Sequence, residues 1–298
     1  MKPIDCLIVG AGPAGLTAAV YLARYRRSVA LIDAGESRAA LIPETHNYPG
    51  FAHGIAGPEL LAALKAQAAC YGITTTQARV TRLSIEETGF LAAWDGGNLR
   101  ARRVILATGL VDEAPDMPDR EAATARGLVR YCPICDGYEA SDKRIAVFGH
   151  ADQACKKAIF LRAYSREVTL LTPDGRRAGE GASRALAEAG VASPASMVAG
   201  IEPAGDCIHV LLKDGTRLTF DTIYPMLGCK VRSELATELG AEQNEVGCLR
   251  VDEHQRTGVD GLYAIGDVVS DLHQIAVGTG HAAAAATHVH NSLPHRFR

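Results

Sequence analysis

The feature that most constrains this chain is a glycine-rich run, GAGPAG at 10–15, set between an apolar, β-branched stretch at 4–9 and a helix pattern through 16–24. A second apolar stretch at 29–32 ends in Asp33. That order predicts a βαβ unit whose first turn is shaped for the pyrophosphate of a dinucleotide. Gly10 permits the tight turn, Gly12 lets the backbone approach the phosphates, and Gly15 allows close helix–strand packing, with Pro13 and Ala14 opening the helix. The helix start presents free N–H groups and the positive end of its dipole to the phosphates. Asp33 is then placed to accept hydrogen bonds from an adenosine ribose. The competing reading, a structural turn with Asp33 on the surface, is outweighed by this strand–turn–helix–strand context.

The unit repeats. A strand pattern at 145–148, a helix at 151–164 and a strand at 168–171 follow Pro115 and Pro118, which mark a linker. Between the copies, 58–71 reads as a helix with Leu60, Leu61 and Leu64 on one face, and weaker strand patterns fill 73–106 up to Ala107, Thr108 and Gly109. A strand at 223–227 with Gly228 suggests a second crossing. The segment 261–267 and a helix from about His273 return to the first unit. With 298 residues, about two domains are expected. The predicted fold is therefore α/β: two Rossmann-like three-layer domains, the second inserted into the first. The expected boundaries are 1–112 with 245–298 for the discontinuous first domain and 113–244 for the insert.

The fingerprint does not separate FAD from NAD. Gly266 and Asp267, after an apolar strand and ahead of a helix, do: the carboxylate suits a ribityl hydroxyl and the backbone N–H groups suit a flavin ring. Together with the N-terminal run they favour FAD.

Composition removes several classes. Hydrophobic residues make up 47% and charged residues 22%, as in an ordinary globular protein. A formal net charge of -3 gives no reason to expect nucleic acid or an anionic membrane as partner. The basic clusters at 24–27 and 100–103 read as solvated surface. No stretch reads as membrane-spanning or as a signal peptide, and a cytoplasmic location is expected. Among eight cysteines only Cys132 and Cys135 are close in sequence, which argues against a disulfide framework. A structural zinc site needs a second such pair and none exists, so no metal is expected. Two unrelated buried thiols remain an alternative, but the favoured reading is a dithiol/disulfide centre. Such pairs stabilise a thiolate on the attacking sulfur, and Asp136 is placed to move a proton to or from the outgoing thiol. His281, His288 and His290 read as helix-face residues rather than metal ligands.

In its motifs the chain resembles the low-molecular-weight thioredoxin reductases: GAGPAG at 10–15, HNYPGF at 46–51, ATG at 107–109, CPICDG at 132–137 and AIGD at 264–267. The resemblance spans almost the whole chain. It implies FAD contacts from Asn47, Thr108, Gly109, Gly266 and Asp267, and from Gln274 and Ile275 where the last helix starts. It implies that Cys135 faces the flavin, Cys132 engages the partner disulfide and Asp136 acts as the acid. It also implies a homodimer and a rotating insert that alternates access to the cysteines. The tail 295–298 is a candidate for reaching a neighbouring subunit.

One departure alters the expected electron supply. The family's second fingerprint, GxGxxA, falls on 149–154, where Ala151 replaces the second glycine and Asp152 adds a negative charge. The family's basic motif for the 2′-phosphate of NADPH, HRRxxxR, falls on 172–178, which reads TPDGRRA. Losing two charge-assisted contacts, each worth about 1.5–3 kcal/mol, weakens binding by about 10²–10⁴-fold. Arg176 and Arg177 offer compensation from a shifted position. NADPH is therefore not expected to be an efficient donor. The loss resembles two pyridine-nucleotide-independent groups, ferredoxin-dependent flavin thioredoxin reductases and diflavin-linked disulfide oxidoreductases with a second FAD. Tyr131 and Tyr138, which flank the cysteines, could stack on an extra flavin or simply pack. The leading expectation is an enzyme acting on thioredoxin or a similar disulfide. The alternatives are a dithiol oxidase linked to oxygen, a redox sensor without turnover, and a conventional NAD(P)H reductase.

Overall fold

The computed structural model describes residues 3–269 and 272–295. The chain opens with β1 (Ile4–Val9), α1 (Pro13–Arg24) and β2 (Val29–Asp33), with β1 and β2 parallel. β1 is almost wholly buried, with Cys6, Leu7 and Ile8 at 0% exposure, because helices cover one face of its sheet and a meander packs on the other. After α2 (Gly57–Ala69) and the short β3 (Thr75–Gln77) come three antiparallel strands, β4 (Val80–Glu86), β5 (Gly89–Trp94) and β6 (Gly97–Leu106). The first half of β6 pairs with β5 and the second half runs parallel to β1. Leu60 and Leu61 of α2 are buried and Leu64 is packed at the edge of that core, as the helix pattern predicts.

β7 (Leu110–Asp112) leads out of this domain. The insert contains α3 (Arg120–Ala125), α4 (Pro133–Asp136), β8 (Ile145–Gly149), α5 (Ala151–Leu161), β9 (Val168–Leu171) and α6 (Glu180–Glu188). An antiparallel sheet of β10 (Val198–Ala204), β11 (Cys207–Leu212) and β12 (Arg217–Phe220) covers one side. β13 (Thr222–Met226) then runs parallel to β8, giving the order β13–β8–β9. This is the second Rossmann-like unit, smaller than the first.

The return crossing is β14 (Cys229–Val231), antiparallel to β7, so a two-stranded ribbon joins the domains. Val231, Ala236 and Ala241 are buried in one cluster with Leu7 and Leu106. The segment 229–244, with α7 (Glu234–Thr237), therefore packs with the first domain, not with the insert as the boundary at 244 expects. The crossing falls at Gly228, whose φ of +114° supplies the turn. Short apolar segments do not say in sequence which core they join; the ribbon pairing decides it.

β15 (Leu262–Ala264) pairs with the last residues of β6, and α8 (Ile275–Asn291) lies against α1. Ala18 and Ala19 on α1 and Ala282, Ala285 and Ala286 on α8 are fully buried, and their small side chains let the two helices approach closely. Residues 296–298 of the tail lie outside the described residues, so the contact expected of the tail has no structural account.

Candidate active site: a dinucleotide cavity ending on a cysteine pair

Both chemical signals of the sequence meet in one cavity of about 600 Å³ between the domains. Gly10, Gly12, Pro13, Ala14 and Asp33 line one part of it; Thr108, Gly109, Gly266 and Asp267 line another. Cys132, Cys135 and Asp136 reach it from the insert, together with Asn47, Gln274 and Ile275 from the first domain. Gly15 lies behind this wall. A Cβ there would sit 1.9 Å from the Gly10 carbonyl oxygen, so Gly15 makes the close packing that the fingerprint demands. Gly10 has φ +107°, and its own Cβ would meet the Ala107 carbonyl at 2.2 Å.

The residues fit FAD. Gly12 is the N-cap of α1 and no side chain caps the helix, so its first-turn N–H groups open onto the cavity, and a Cβ on Gly12 would find only the Ser37 hydroxyl at 3.4 Å. Asp33 is held by the glycine-rich turn and by its own loop: one carboxylate oxygen accepts from Ala11 N at 2.9 Å, the other from Gly35 N at 3.1 Å. Each oxygen keeps a lone pair for a ribose hydroxyl. The Thr108 hydroxyl donates to the Arg232 carbonyl at 2.6 Å and so ties the cavity floor to the returning chain.

Arg38, absent from the sequence reading, organises the middle of the cavity wall. Its guanidinium is bidentate on Asp112, at 2.6 and 2.9 Å, and reaches Asp267 at 3.1 Å. One cation thus joins the carboxylate assigned to the ribityl chain to the strand leading into the insert. Nothing local in 36–41 signals this, because both partners are distant in sequence.

Cys132 and Cys135 form a disulfide with Cα atoms 5.3 Å apart. Cys132 caps α4, its sulfur accepting from Cys135 N at 3.2 Å. Pro133 suits the first helical position, where no N–H is needed. Gly137 is required by space: a Cβ there would meet the Pro133 carbonyl at 2.5 Å and the Tyr164 ring at 2.8 Å. Gln274 crosses from the first domain and donates through Nε2 to both sulfurs, at 3.3 Å to Cys132 and 3.4 Å to Cys135. Asn47 orients it, donating to Gln274 Oε1 at 2.8 Å. Two residues expected to contact FAD thus also hold the cysteine turn.

Asp136 is largely buried and forms an ion pair with Arg130 at 3.1 Å, while the Tyr224 hydroxyl donates to it at 2.9 Å. Burial pushes its carboxyl above the usual carboxylate range, against the opposing pull of Arg130 and Tyr224. Neither neighbour was legible in sequence as a site residue. Tyr131 lines the cavity beside the pair, whereas Tyr138 is 78% exposed. Among the described residues no His, Cys, Asp or Glu cluster could hold a metal ion. His288 accepts from or donates to the Tyr263 hydroxyl at 2.8 Å, and His290 accepts from Arg27 at 3.0 Å.

A dinucleotide cavity that ends on a disulfide defines a disulfide oxidoreductase. Residues 4–288 match the model of the pyridine nucleotide-disulphide oxidoreductases, and the chain belongs to that family. It is 32% identical to thioredoxin reductase from Treponema pallidum (strain Nichols) over 95% of this chain and 94% of that protein. Among solved structures it is similar to HlmI, with TM-score 0.89 and 31% identity over 97% of this chain and 92% of that one. Thioredoxin reductase from Streptococcus pyogenes MGAS5005 gives TM-score 0.88 and 29% identity, covering 97% of each. The protein is a flavin-dependent, thioredoxin-reductase-like disulfide oxidoreductase. No helix among its described residues is long and apolar enough to cross a membrane.

Proposed function

We infer that this enzyme exchanges electrons between bound FAD, the Cys132–Cys135 pair and a thioredoxin-like protein or small-molecule disulfide, and that its electron donor is not NADPH. When bound, FAD supplies the two-electron couple that the cysteine pair draws on. Gly10, Gly12, Pro13, Ala14 and Asp33 hold its adenosine and pyrophosphate; Asp267, Thr108, Gly109 and Ile275 line the remainder of its cavity. Cys135 takes the position facing the flavin, Cys132 attacks or is attacked by the substrate sulfur, and Asp136 handles the proton.

The observation that carries the donor assignment is the state of the second nucleotide site. Asp152 lies in the first turn of α5, and its carboxylate accepts at 3.1 Å from Gly179 N at the N-cap of α6, so a fixed negative charge stands where a phosphate would need to bind. Thr172 is buried where the basic motif would begin, and Asp174 pairs with Arg176 at 3.5 Å within their own turn. The two carboxylates oppose a phosphate by charge.

Mixing the anaerobic holoenzyme with excess NADPH is expected to leave the flavin oxidised over many seconds. Bleaching at turnover rates would overturn the donor assignment. The flavin count per chain then separates the supply routes. One FAD supports an external donor such as a ferredoxin-like protein, and two support a second flavin beside Tyr131. Peroxide release with dithiothreitol in air would mark the same site running in reverse, as a dithiol oxidase. Sedimentation tests the homodimer.

A further inference from the structure

We propose that Arg130 and Tyr224 are positioning residues for Asp136, and that the three form a proton-handling unit that moves with the cysteine pair. The proposal rests on the reading of Cys132 and Cys135 as the reactive pair.

The geometry is closed around one carboxylate. Arg130 Nη1 lies 3.1 Å from one oxygen of Asp136, and the Tyr224 hydroxyl donates to the other at 2.9 Å. Each oxygen is thereby fixed, and the side chain cannot turn without breaking a contact. Arg130 is itself anchored, its Nε donating to the Gly127 carbonyl at 3.0 Å. Tyr224 is fully buried and arrives from β13, whose register against β8 places it opposite Val147. The Asp136 and Arg130 side chains are only 14% and 15% exposed, so water screens their pairing weakly. The other charged group facing Asp136 is Glu139, from the turn after α4, and its effect opposes ionisation. Arg130 offsets both that repulsion and burial.

All three residues lie between the linker at 115–118 and the crossing at Gly228, on the same side of the ribbon as the cysteines. No member comes from the flavin domain. A proton group built this way keeps its relation to Cys132 and Cys135 whichever way the insert faces. One anchored in the first domain, like Gln274, serves only the present arrangement.

The chemistry balances through Asp136. The ionised carboxylate takes the Cys132 thiol proton, and the thiolate attacks a substrate disulfide. An S–S bond forms to Cys132, the substrate S–S bond breaks, and the leaving thiolate takes the proton from Asp136. Asp136 then accepts the Cys135 thiol proton. The Cys135 thiolate attacks Cys132 Sγ, the disulfide re-forms, and the second substrate sulfur leaves with that proton. Two electrons and two protons pass to the substrate, and Asp136 ends as it began. The reverse sequence oxidises a dithiol.

The test uses holoenzyme reduced with dithiothreitol and desalted, mixed with hydroxyethyl disulfide or with 4,4′-dithiodipyridine across pH. Hydroxyethyl disulfide expels a thiolate that needs a proton; the pyridyl leaving group does not. Asp136→Asn is expected to slow the first reaction by about 10²–10⁴-fold. Arg130→Met is expected to move the Asp136 limb of the pH profile upward by about one to two units, because the opposite charge is gone. Tyr224→Phe moves it in the same direction by less, and Arg130→Lys restores most of the Arg130→Met shift. Removing one partner of a buried ion pair is destabilising. If Arg130→Met does not fold, Tyr224→Phe and Arg130→Lys decide the matter. Profiles that superimpose on the unsubstituted enzyme, or an Asp136→Asn variant that slows neither disulfide, overturn the proposal; slowing with both marks Asp136 as base toward Cys132, and additional slowing with hydroxyethyl disulfide marks it as acid as well. Cys132→Ser separates the layers. If it still exchanges at the normal rate, the reading of the pair has failed; if it is inert while the other variants behave normally, only the positioning unit has failed.

Discussion

At the scale of single residues, the site is held by cations that the motifs do not contain. Arg38 is the clearest case, because it neutralises Asp112 and Asp267 at once. Replacing it leaves two partly buried carboxylates facing each other. Arg38→Met is expected to cost about 1–3 kcal/mol, below the figure of about 3–5 for a fully buried pair, since all three side chains keep some solvent contact. Thermal melting, with flavin retention on gel filtration, reads both consequences. An unchanged melting temperature and full flavin content would mean that water replaces the guanidinium without loss. The glycines behave differently. Gly10, Gly12 and Gly15 were legible in sequence because their roles are local: a φ of +107°, an open helix start and a carbonyl 1.9 Å from where a Cβ would stand. Arg38, Arg130 and Tyr224 were not, because each acts on a partner that only folding brings near. Arg130 stands two residues before Cys132, but an arginine beside a motif has too many solvated uses to be singled out.

At the scale of elements, the last helix does two jobs. The start of α8 carries Gln274 at the disulfide, and its end packs histidines against α1 and β15. His288 is pushed below the ordinary histidine range by burial, with His254 and Arg256 adding to it. His290 is pushed down by burial and then by Arg27. A histidine depressed in the folded protein binds protons more readily when unfolded. Its contribution is therefore present above its ordinary value near 6.5 and lost as pH falls from there toward the folded value. The melting temperature is expected to fall between about pH 7 and pH 5, where unfolded histidine titrates. The slope is expected to flatten in His290→Gln, which keeps an acceptor for Arg27 without the titration. Parallel slopes for the two proteins would assign the acid sensitivity to other groups. The sequence placed this helix well, since helical periodicity is local. It placed the short segment after Gly228 badly, because Val231, Ala236 and Ala241 find their core through the β7–β14 ribbon.

At the scale of the whole molecule, the present arrangement is one in which the cysteine turn is docked on the first domain. The polar contacts across that joint run from Asn47 to the Ile134 carbonyl at 3.4 Å and from Gln274 to both sulfurs. Gln274→Ala removes the donors to both sulfurs and the partner of Asn47. Alkylation of the reduced pair by iodoacetamide is expected to quicken roughly tenfold, the equivalent of about 1.4 kcal/mol of lost docking. A rate equal to that of the unsubstituted protein would show that apolar packing alone holds the turn. This consequence reaches both partner exchange and electron supply, because the same turn serves each.

Local pattern alone specifies two nucleotide-binding-like α/β units, a first one shaped for a dinucleotide, and a cysteine spacing that suits the disulfide Cys132 and Cys135 form. Those conclusions rest on turns, helix starts and spacings a few residues long, where sterics and backbone hydrogen bonding act locally. It also exposed the altered second fingerprint, because a missing glycine or an added carboxylate is visible in the string. Folding adds what the string does not show: Asp152 bonds the N-cap of the neighbouring helix α6, Arg38 joins two carboxylates, Gln274 spans the domains to the sulfurs, and Arg130 and Tyr224 close around Asp136. Each of these depends on side chains far apart in the chain, and their electrostatics exist only once folding has excluded water from between them.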